Sequence, residues 1–437
     1  MTESTSAPPP AAPRPIRFAA SLIVLRNGPA GLEVLMLRRA EKEADQNSGA
    51  SVFPGGGVDP HDRLLHGHCG SVTDLAASRT LELPSGGLDF YIAAIRECFE
   101  EAGLLFARTD DGRAVALDTL AEAEVAALRA RAEAGGAEAW LQLCAERGWQ
   151  FDAERLAYFA HWLTPPGMPR RFDTRFFVAL APPSQTARPD GRETVEHQWL
   201  RPADAVAPER GLRLMNVTRR VLLQLAAFDS AEDCLAHARA LSRIPLVMPR
   251  LASGPAGRLP VNPDEPAYAE IGRIDPEGAG HGRYELGHGL AMAMSPRIVR
   301  LTARHAGVLR NSYFVGHAAG GWALIDPAVE DEGDLEWLRA SAPGPVRWIV
   351  STRLQMQRPL ALQRAQALWP EAEAPWAERS ALAGVGLQWV EAGDPQSRWL
   401  LLEEERTLFT GDFEPPAGFG DSRIDWFAPA QGFLRRR

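Results

Sequence analysis

Three glutamates stand within five positions of one another in the stretch YIAAIRECFEEAGL, residues 91–104, with an arginine directly before the first. Set on a helix at 100° per residue, Glu97, Glu100 and Glu101 fall within about 100° of one another. Ile92, Ile95, Phe99 and Ala102 gather on roughly the opposite side. Like charges at that spacing repel by only a few tenths of a kcal/mol per pair, which a solvated helix face tolerates. A solvated face is therefore the ordinary explanation. Upstream, FPGGGVD (53–59) supplies another, because Pro54 precedes Gly55, Gly56 and Gly57. Glycines permit unusual dihedrals and close approach of the backbone. A glycine loop beside converging carboxylates suits hard dications such as Mg²⁺, which take oxygen ligands and share them with substrate phosphates. Bound cations would also relieve the repulsion.

The segment RECFEEAGL, 96–104, resembles the second half of the Nudix box, R-E-apolar-x-E-E-x-G-apolar, at every defined position. The first half of that box, a glycine followed after five residues by a glutamate, is represented by Gly56 and Asp62, a shorter acid. Residues 63–95, 33 in all, then separate Asp62 from Arg96, where the uninterrupted box has seven. An insert at this place is similar to the Nudix branch that includes the peroxisomal coenzyme A diphosphatases. HWLTPPGMPRRFDTRFFVA (161–179) and EHQWLRPADAV (196–206) resemble the same branch, so the likeness covers about residues 16–230.

The resemblance implies hydrolysis of a small-molecule nucleoside diphosphate derivative with Mg²⁺ or Mn²⁺ as cofactor. It implies Glu97, Glu100 and Glu101 as metal ligands, Arg96 orienting a glutamate, and Gly55, Gly56 and Gly57 shaping the loop against the metal helix. The branch suggests coenzyme A or an acyl-CoA as substrate, cleaved to 3′,5′-ADP and 4′-phosphopantetheine. ADP-ribose, NADH or a nucleotide sugar would use the same helix. A nucleotide sensor or scaffold without turnover is the alternative from another class. Arg170, Arg171 and Arg175 carry guanidinium groups suited to bidentate phosphate contacts, with surface arginines flanking a strand as the competing reading.

Farther along, N-x-Y in NSYFVG, I-D-P in GWALIDP, a strand ending at Thr352, and LFTGD resemble the metallo-β-lactamase fold over about residues 263–425. Its ligand motif T-H-x-H-x-D-H is replaced by Thr352, Arg353, Leu354, Gln355, Met356, Gln357 and Arg358. Arginine stays protonated and offers no lone pair, so Arg353 and Arg358 cannot replace histidine as ligands. A further histidine position reads Asp394, and Asp412 alone remains where a bridging aspartate would sit. One carboxylate is not a binuclear zinc site, but a fold can outlast its site. This half is expected to serve in a homodimer, in a protein contact or as a cover for the Nudix site.

The elements that must position these groups follow from pattern. IRFAASLIVLRN and LEVLMLRR, joined by GPAG, predict a β-hairpin. Asp89 can cap the start of the glutamate helix and Gly103 can stop it. The Ala-, Glu-, Leu- and Arg-rich stretch 118–147 predicts a helix. RFDTRFFVALAPP and VEHQWL predict strands, and RLMNVTRRVLLQLAAF predicts a helix. Periodicity disappears over 249–266, where proline and glycine accumulate, which marks a domain boundary. The organisation expected is a disordered leader over 1–15, a Nudix domain over 16–245 with inserts near 63–88 and 110–160, a linker over 246–262, and a metallo-β-lactamase-like domain over 263–437. The fold class is α/β: a Nudix α/β/α sandwich with a mixed sheet, then an αββα sandwich.

At 437 residues with 45% apolar content, the chain can bury two cores. A formal charge of −9 argues against wholesale binding to nucleic acid or anionic membrane. Four cysteines, far apart and without a CxxC pair, suit a reducing cytoplasm. No apolar run approaches the length of a membrane span.

Overall fold

The computed structural model describes residues 15–41, 48–70, 72–353, 360–374, 382–392, 398–416 and 419–437. The chain divides into two compact units, Met1–Thr164 with Met168–Met248, and Pro165–Gly167 with Pro249–Arg437. The expected leader lies outside the described residues except for Pro15.

In the first unit β1 (Ile16–Gly28), β2 (Gly31–Arg39), β3 (Ser51–Val52) and β4 (Gly55–Gly57) precede α1 (Asp74–Thr80) and α2 (Gly87–Ala102). Next come β5 (Ala107–Thr109), α3 (Glu122–Arg147), β6 (Trp149–Phe151), β7 (Ala157–Leu163), β8 (Arg171–Leu180) and β9 (Thr194–Leu200). The unit closes with α4 (Pro202–Val206), α5 (Asn216–Leu225), α6 (Ala231–Ala240) and β10 (Leu246–Val247). β1 and β2 form the expected hairpin, with Gly28 opposite Gly31. β1 also runs parallel to β8 and antiparallel to β4 within a mixed eight-stranded sheet. Its unbroken apolar run is explained by burial on both faces. Leu22 and Val24 join a core with Ile92, Ile95 and Phe99 of α2 and Trp140 of α3. Ile23 and Leu25 join another with Val221 and Leu222 of α5 and Cys234 of α6. The result is an α/β/α sandwich.

α2 starts after a left-handed Gly86 and stops at Gly103, whose φ of 70° is the left-handed conformation that glycine adopts without strain. Asp89 is not the cap. Asp74 takes that role from α1, its two carboxylate oxygens accepting from the Gly86 and Leu88 N–H groups at 3.0 Å each. Asp89 instead bonds the His66 ring at 2.6 Å. The predicted helix over 118–147 forms as α3 from Glu122 onward, with a break at Gly136 (φ 55°, ψ −147°).

The second unit opens with β11 (Arg250–Gly254), β12 (Gly257–Val261) and α7 (Tyr268–Ile274). The stretch 246–262, expected as a linker, is instead strand: β10 pairs with β7, and β11 and β12 make a hairpin closed between Gly254 and Gly257. Proline and glycine removed the periodicity there because they build a tight turn, not because the chain lacks structure. Then come β13 (Leu290–Ser295), β14 (Ile298–His305), β15 (Val308–His317), β16 (Gly321–Ile325), α8 (Glu332–Ala340), β17 (Val346–Val350) and α9 (Leu360–Leu368). β18 (Leu387–Glu391), β19 (Arg398–Leu402), β20 (Thr407–Gly411), β21 (Trp426–Pro429) and β22 (Arg435–Arg436) complete the chain. β13 to β17 form one five-stranded sheet and β18 to β22 another. Val315 and Ile325 of the first meet Leu400 and Phe409 of the second in a shared core. Leu338 of α8 and Ala361 and Leu362 of α9 cover Phe314 and Leu324 on the outer face of the first sheet. On the second sheet Trp399, Leu401 and Leu408 pack with Ile424 and Phe419. Among the described residues no helix is long and apolar enough to cross a membrane.

Candidate active site

The glutamate face of α2 is not solvated. Glu101 is 5% exposed and Arg96 9%, and the side chains of Glu97 and Glu100 retain 17% and 13%. Arg96 stands at the centre. Its Nη1 donates to Glu97 Oε1 at 3.0 Å and to Glu100 Oε2 at 3.3 Å, and its Nη2 donates to the Gly57 carbonyl at 3.0 Å. Its Nε donates to Asp62 Oδ1 at 3.2 Å. The 33 residues between Asp62 and Arg96 therefore leave the two groups in contact, because the insert loops out through α1 and returns. Asp62 is almost fully buried, and its other oxygen accepts from the Asp59 N–H at 2.8 Å.

The glycine strand is fixed against this helix. Gly55, Gly56 and Gly57 pair with Ser21, Ala20 and Ala19 of β1, and the Gly55 N–H donates to Glu101 Oε2 at 2.9 Å. A Cβ on Gly56 would lie 2.4 Å from the carboxyl carbon of Glu97, and one on Gly55 would lie 2.5 Å from the Ala20 carbonyl oxygen. Only glycine allows strand and carboxylates to sit this close. Two further contacts come from elements outside the motif. Trp140 of α3 donates its indole N–H to Glu100 Oε1 at 3.0 Å, and Arg129 Nη2 donates to the Glu100 carbonyl at 2.7 Å.

A cavity of about 340 Å³ opens over this surface, lined by Gly55, Gly56, Gly57, Glu97, Glu100 and Glu101, with Glu133, Asp190 and Glu193 from α3 and the segment before β9. Among the described residues, Arg39, at the end of β2, is the only cation lining it. Burial pushes Glu97 up to about 7, with Glu100 adding repulsion and Arg96 opposing. Burial likewise pushes Glu101 up to about 8, raised further by Glu97 and held back by the Gly55 N–H and by Arg39. Glu100 is also raised by burial, against Arg96 and Trp140. Burial works against the charge on Arg96, but Glu97, Asp62 and Glu100 outweigh it and hold the guanidinium firmly protonated. The site is thus short of positive charge.

Oxygen donors on a rigid helix, in an acidic cavity with too little compensating charge, fit a hard dication by type and placement. Among the described residues no three His, Cys, Asp or Glu side chains already converge as a metal-binding set. Arg96 claims an oxygen each of Glu97 and Glu100, and Gly55 claims one of Glu101.

Arg171 and Arg175, expected as phosphate contacts, do not line this cavity. Arg175 is 3% exposed, ion-paired to Asp173, with its guanidinium carbon 4.9 Å from the Phe90 ring centroid. Arg171 Nε donates to the Thr164 carbonyl at 3.0 Å. The spacing of arginines along β8 said nothing about which face of the sheet they occupy. Arg39, Trp140, Glu133, Asp190 and Glu193 were missed because they lie on other elements that only the tertiary fold brings to the glutamate helix. Only the turn signal in PDGRE could have drawn attention to Asp190, whose Oδ1 collects the N–H groups of Arg192, Glu193 and Thr194.

In the second unit Asp412 is ion-paired to Arg353 and to Arg310, the latter at 2.6 Å. Thr352 donates its N–H and hydroxyl to Asp326 at 2.8 and 2.7 Å. Leu354, Gln355, Met356, Gln357, Arg358 and Asp394 lie outside the described residues.

The family model of the NUDT19 Nudix domain matches residues 72–210. The chain is similar to the acyl-coenzyme A diphosphatase NUDT19 of Gallus gallus, with 30% identity over 284 residues, 56% of this chain and 74% of that protein. It is also 30% identical to the acyl-coenzyme A diphosphatase NUDT19 of Homo sapiens over 210 residues, 40% of this chain and 55% of that protein. Among solved structures, a Nudix hydrolase from Alicyclobacillus acidocaldarius aligns with 51% of this chain and 96% of its own, at 30% identity and a TM-score of 0.43.

Proposed function

This chain belongs to the NUDT19 group of Nudix hydrolases, and on that premise we propose that it is a metal-dependent diphosphatase cleaving coenzyme A or acyl-CoA to 3′,5′-ADP and (acyl-)4′-phosphopantetheine. The observation that carries the reading is the buried carboxylate trio of α2, two of them held by Arg96 and the third by the Gly55 N–H of the glycine strand, all lining an acidic cavity. Glu97, Glu100 and Glu101 would hold Mg²⁺ or Mn²⁺, which when bound polarises a diphosphate and lowers the pKa of the attacking water. Arg96, locked by Asp62 and the Gly57 carbonyl, fixes where the carboxylates point. Arg39 would meet a phosphate oxygen across the cavity, where a guanidinium can make bidentate contacts. The absence of side chains at Gly55 and Gly56 lets the strand lie directly against β1 and Glu97.

For the second unit the proposal is a metallo-β-lactamase-like domain without its metal ligands, supported by paired sheets, outer helices and an Asp412 committed to two guanidinium groups. A role in a homodimer or in contact with another protein is proposed for it on the same grounds. Four buried cysteines, none in a disulfide, support a reducing, cytoplasmic setting.

The test is to incubate the protein and Glu101→Gln with Mg²⁺ or Mn²⁺ and CoA, acyl-CoA, ADP-ribose, NADH and UDP-sugars, and to identify products by mass. Release of 3′,5′-ADP from CoA by the parent, falling at least about 100-fold in the variant, is expected when one ligand of a catalytic metal is lost. Cleavage of ADP-ribose or NADH in preference to CoA would overturn the substrate. No cleavage of any compound, with binding retained, would leave a sensor.

A further inference from the structure

A second depression adjoins the carboxylate cavity and has no part in the chemistry described above. It is larger, about 540 Å³, and shares Glu100, Glu133 and Asp190 with the first, so the two lie side by side with those residues between them. One wall is the first half of α3, the second is the segment around Leu117 and Leu120, and the third is the segment 186–192 that leads into β9. Both loop walls are tied down. Gln185 donates to the Leu105 and Val115 carbonyls at 2.9 and 2.8 Å, and accepts from the Leu105 N–H at 2.8 Å. Asp118 accepts from the Thr186 N–H and hydroxyl at 3.0 and 3.1 Å. Arg129, from α3, donates to the Arg188 carbonyl at 3.0 Å and to the Glu100 carbonyl, joining the third wall to the metal helix. The groove is therefore preformed, and ordering it on binding costs little.

Resting on the acyl-CoA reading above, we propose that this groove receives the pantetheine arm of the substrate and seats its acyl group on Leu120, Val125 and Ala126. Charge decides between the two arms that flank the diphosphate. One ends in an adenosine bearing a 3′-phosphate, a dianion at neutral pH; the other is uncharged. Among the described residues, the groove is lined by five carboxylates against three guanidinium groups, Arg129, Arg188 and Arg192. Two of those three are already engaged by carboxylates, Arg188 with Glu122 at 2.9 Å and Arg192 with Glu133 at 3.8 Å. Such a surface repels a phosphate and accepts a neutral chain, whose amides can bond the polar rim. Leu120 and Val125 pack against the core yet stay half-exposed, and Ala126 is exposed, so together they present a short apolar strip to the groove. A hydrocarbon laid on that strip gains affinity with every methylene it buries.

The test compares CoA, acetyl-CoA, octanoyl-CoA and dephospho-CoA as substrates for the parent and for Ala126→Trp, which fills the strip from an exposed helix position. The ratio of kcat/KM for octanoyl-CoA over acetyl-CoA is expected to exceed about 10 in the parent and to fall toward unity in the variant. The ratio for CoA over dephospho-CoA, which reads the 3′-phosphate, is expected to stay within about twofold. A shift in the second ratio instead of the first, or in neither, overturns the proposal. Leu120→Asp, a charge on the same strip, repeats the comparison should the tryptophan variant not fold. Calorimetric binding of octanoyl-CoA and CoA in EDTA separates this inference from the enzyme reading. If no substrate is cleaved but octanoyl-CoA binds more tightly and Ala126→Trp removes the difference, the groove stands and the diphosphatase reading falls. Equal binding of the two ligands by the parent removes the groove.

Discussion

Glu100 is held by a residue that the motif does not contain. Its Oε1 accepts from the Trp140 indole at 3.0 Å, across 40 positions of chain. Trp140 is fully buried, edge-on to Phe99 and tilted against Phe151 at centroid distances of 5.5 and 5.3 Å. Replacing it with phenylalanine keeps most of that packing and deletes the donor. The expected result for Trp140→Phe is a Mn²⁺ dissociation constant raised about tenfold or more, as for other partners that orient metal ligands. Electron paramagnetic resonance titration of Mn²⁺ reads this without turnover, and a melting profile shows how much of the effect is structural. An unchanged constant would reduce Trp140 to core packing. At this scale the sequence exposed the three glutamates and Arg96 clearly, since they lie on adjacent turns of one helix. Trp140 gave no signal, since a tryptophan in an alanine-rich helix reads as core.

At the scale of elements, the insert between Asp62 and Arg96 helps to start the metal helix. Gly86 brings α2 into its first turn without a side chain to cap it, and Asp74 reaches over from α1 to accept from Gly86 and Leu88. Asp74→Ala should therefore destabilise the first unit by about 1 kcal/mol, the usual cost of a lost cap. Urea denaturation followed by circular dichroism checks it, and no loss of stability would mean that water replaces the carboxylate. Sequence reasoning placed the cap at Asp89 because cap rules look next to the helix start, and here the oxygen comes from 12 residues earlier. The hairpin of β1 and β2 was legible because both strands and the turn are contiguous. The hairpin of β11 and β12 was not, since its prolines and glycines matched the composition of a linker.

At the scale of the whole molecule, two separate sets of buried residues mean that each unit has its own polar keystones. In the second, Arg300 and Glu270 are both fully buried, with Nη2 donating to Oε1 at 3.0 Å and Nη1 also bonded to the carboxylate. The Leu434 N–H, from the end of the chain, donates to the same glutamate at 2.6 Å. Glu270→Ala would strand a buried guanidinium and should cost about 3–5 kcal/mol. Urea unfolding of the full chain, followed by tryptophan fluorescence, measures the shift. A loss under about 1 kcal/mol would show that Arg300 reaches water or another partner once the carboxylate is gone.

The sequence by itself determined what is periodic or contiguous: the strand pair, the acidic helix with its glycine stop, and the glycine loop before it. These depend on dihedral preferences and on side-chain spacing along one element, which the order of residues encodes directly. Tertiary structure alone decided which distant groups share the site. It brought Asp62 to Arg96, added Glu133, Asp190 and Glu193 to the acidic cavity, supplied Arg39 as its cation, and sent Arg175 away to Asp173 and Phe90. Those outcomes depend on sheet register and on which face each element buries, and a shift of one residue along a strand reverses them.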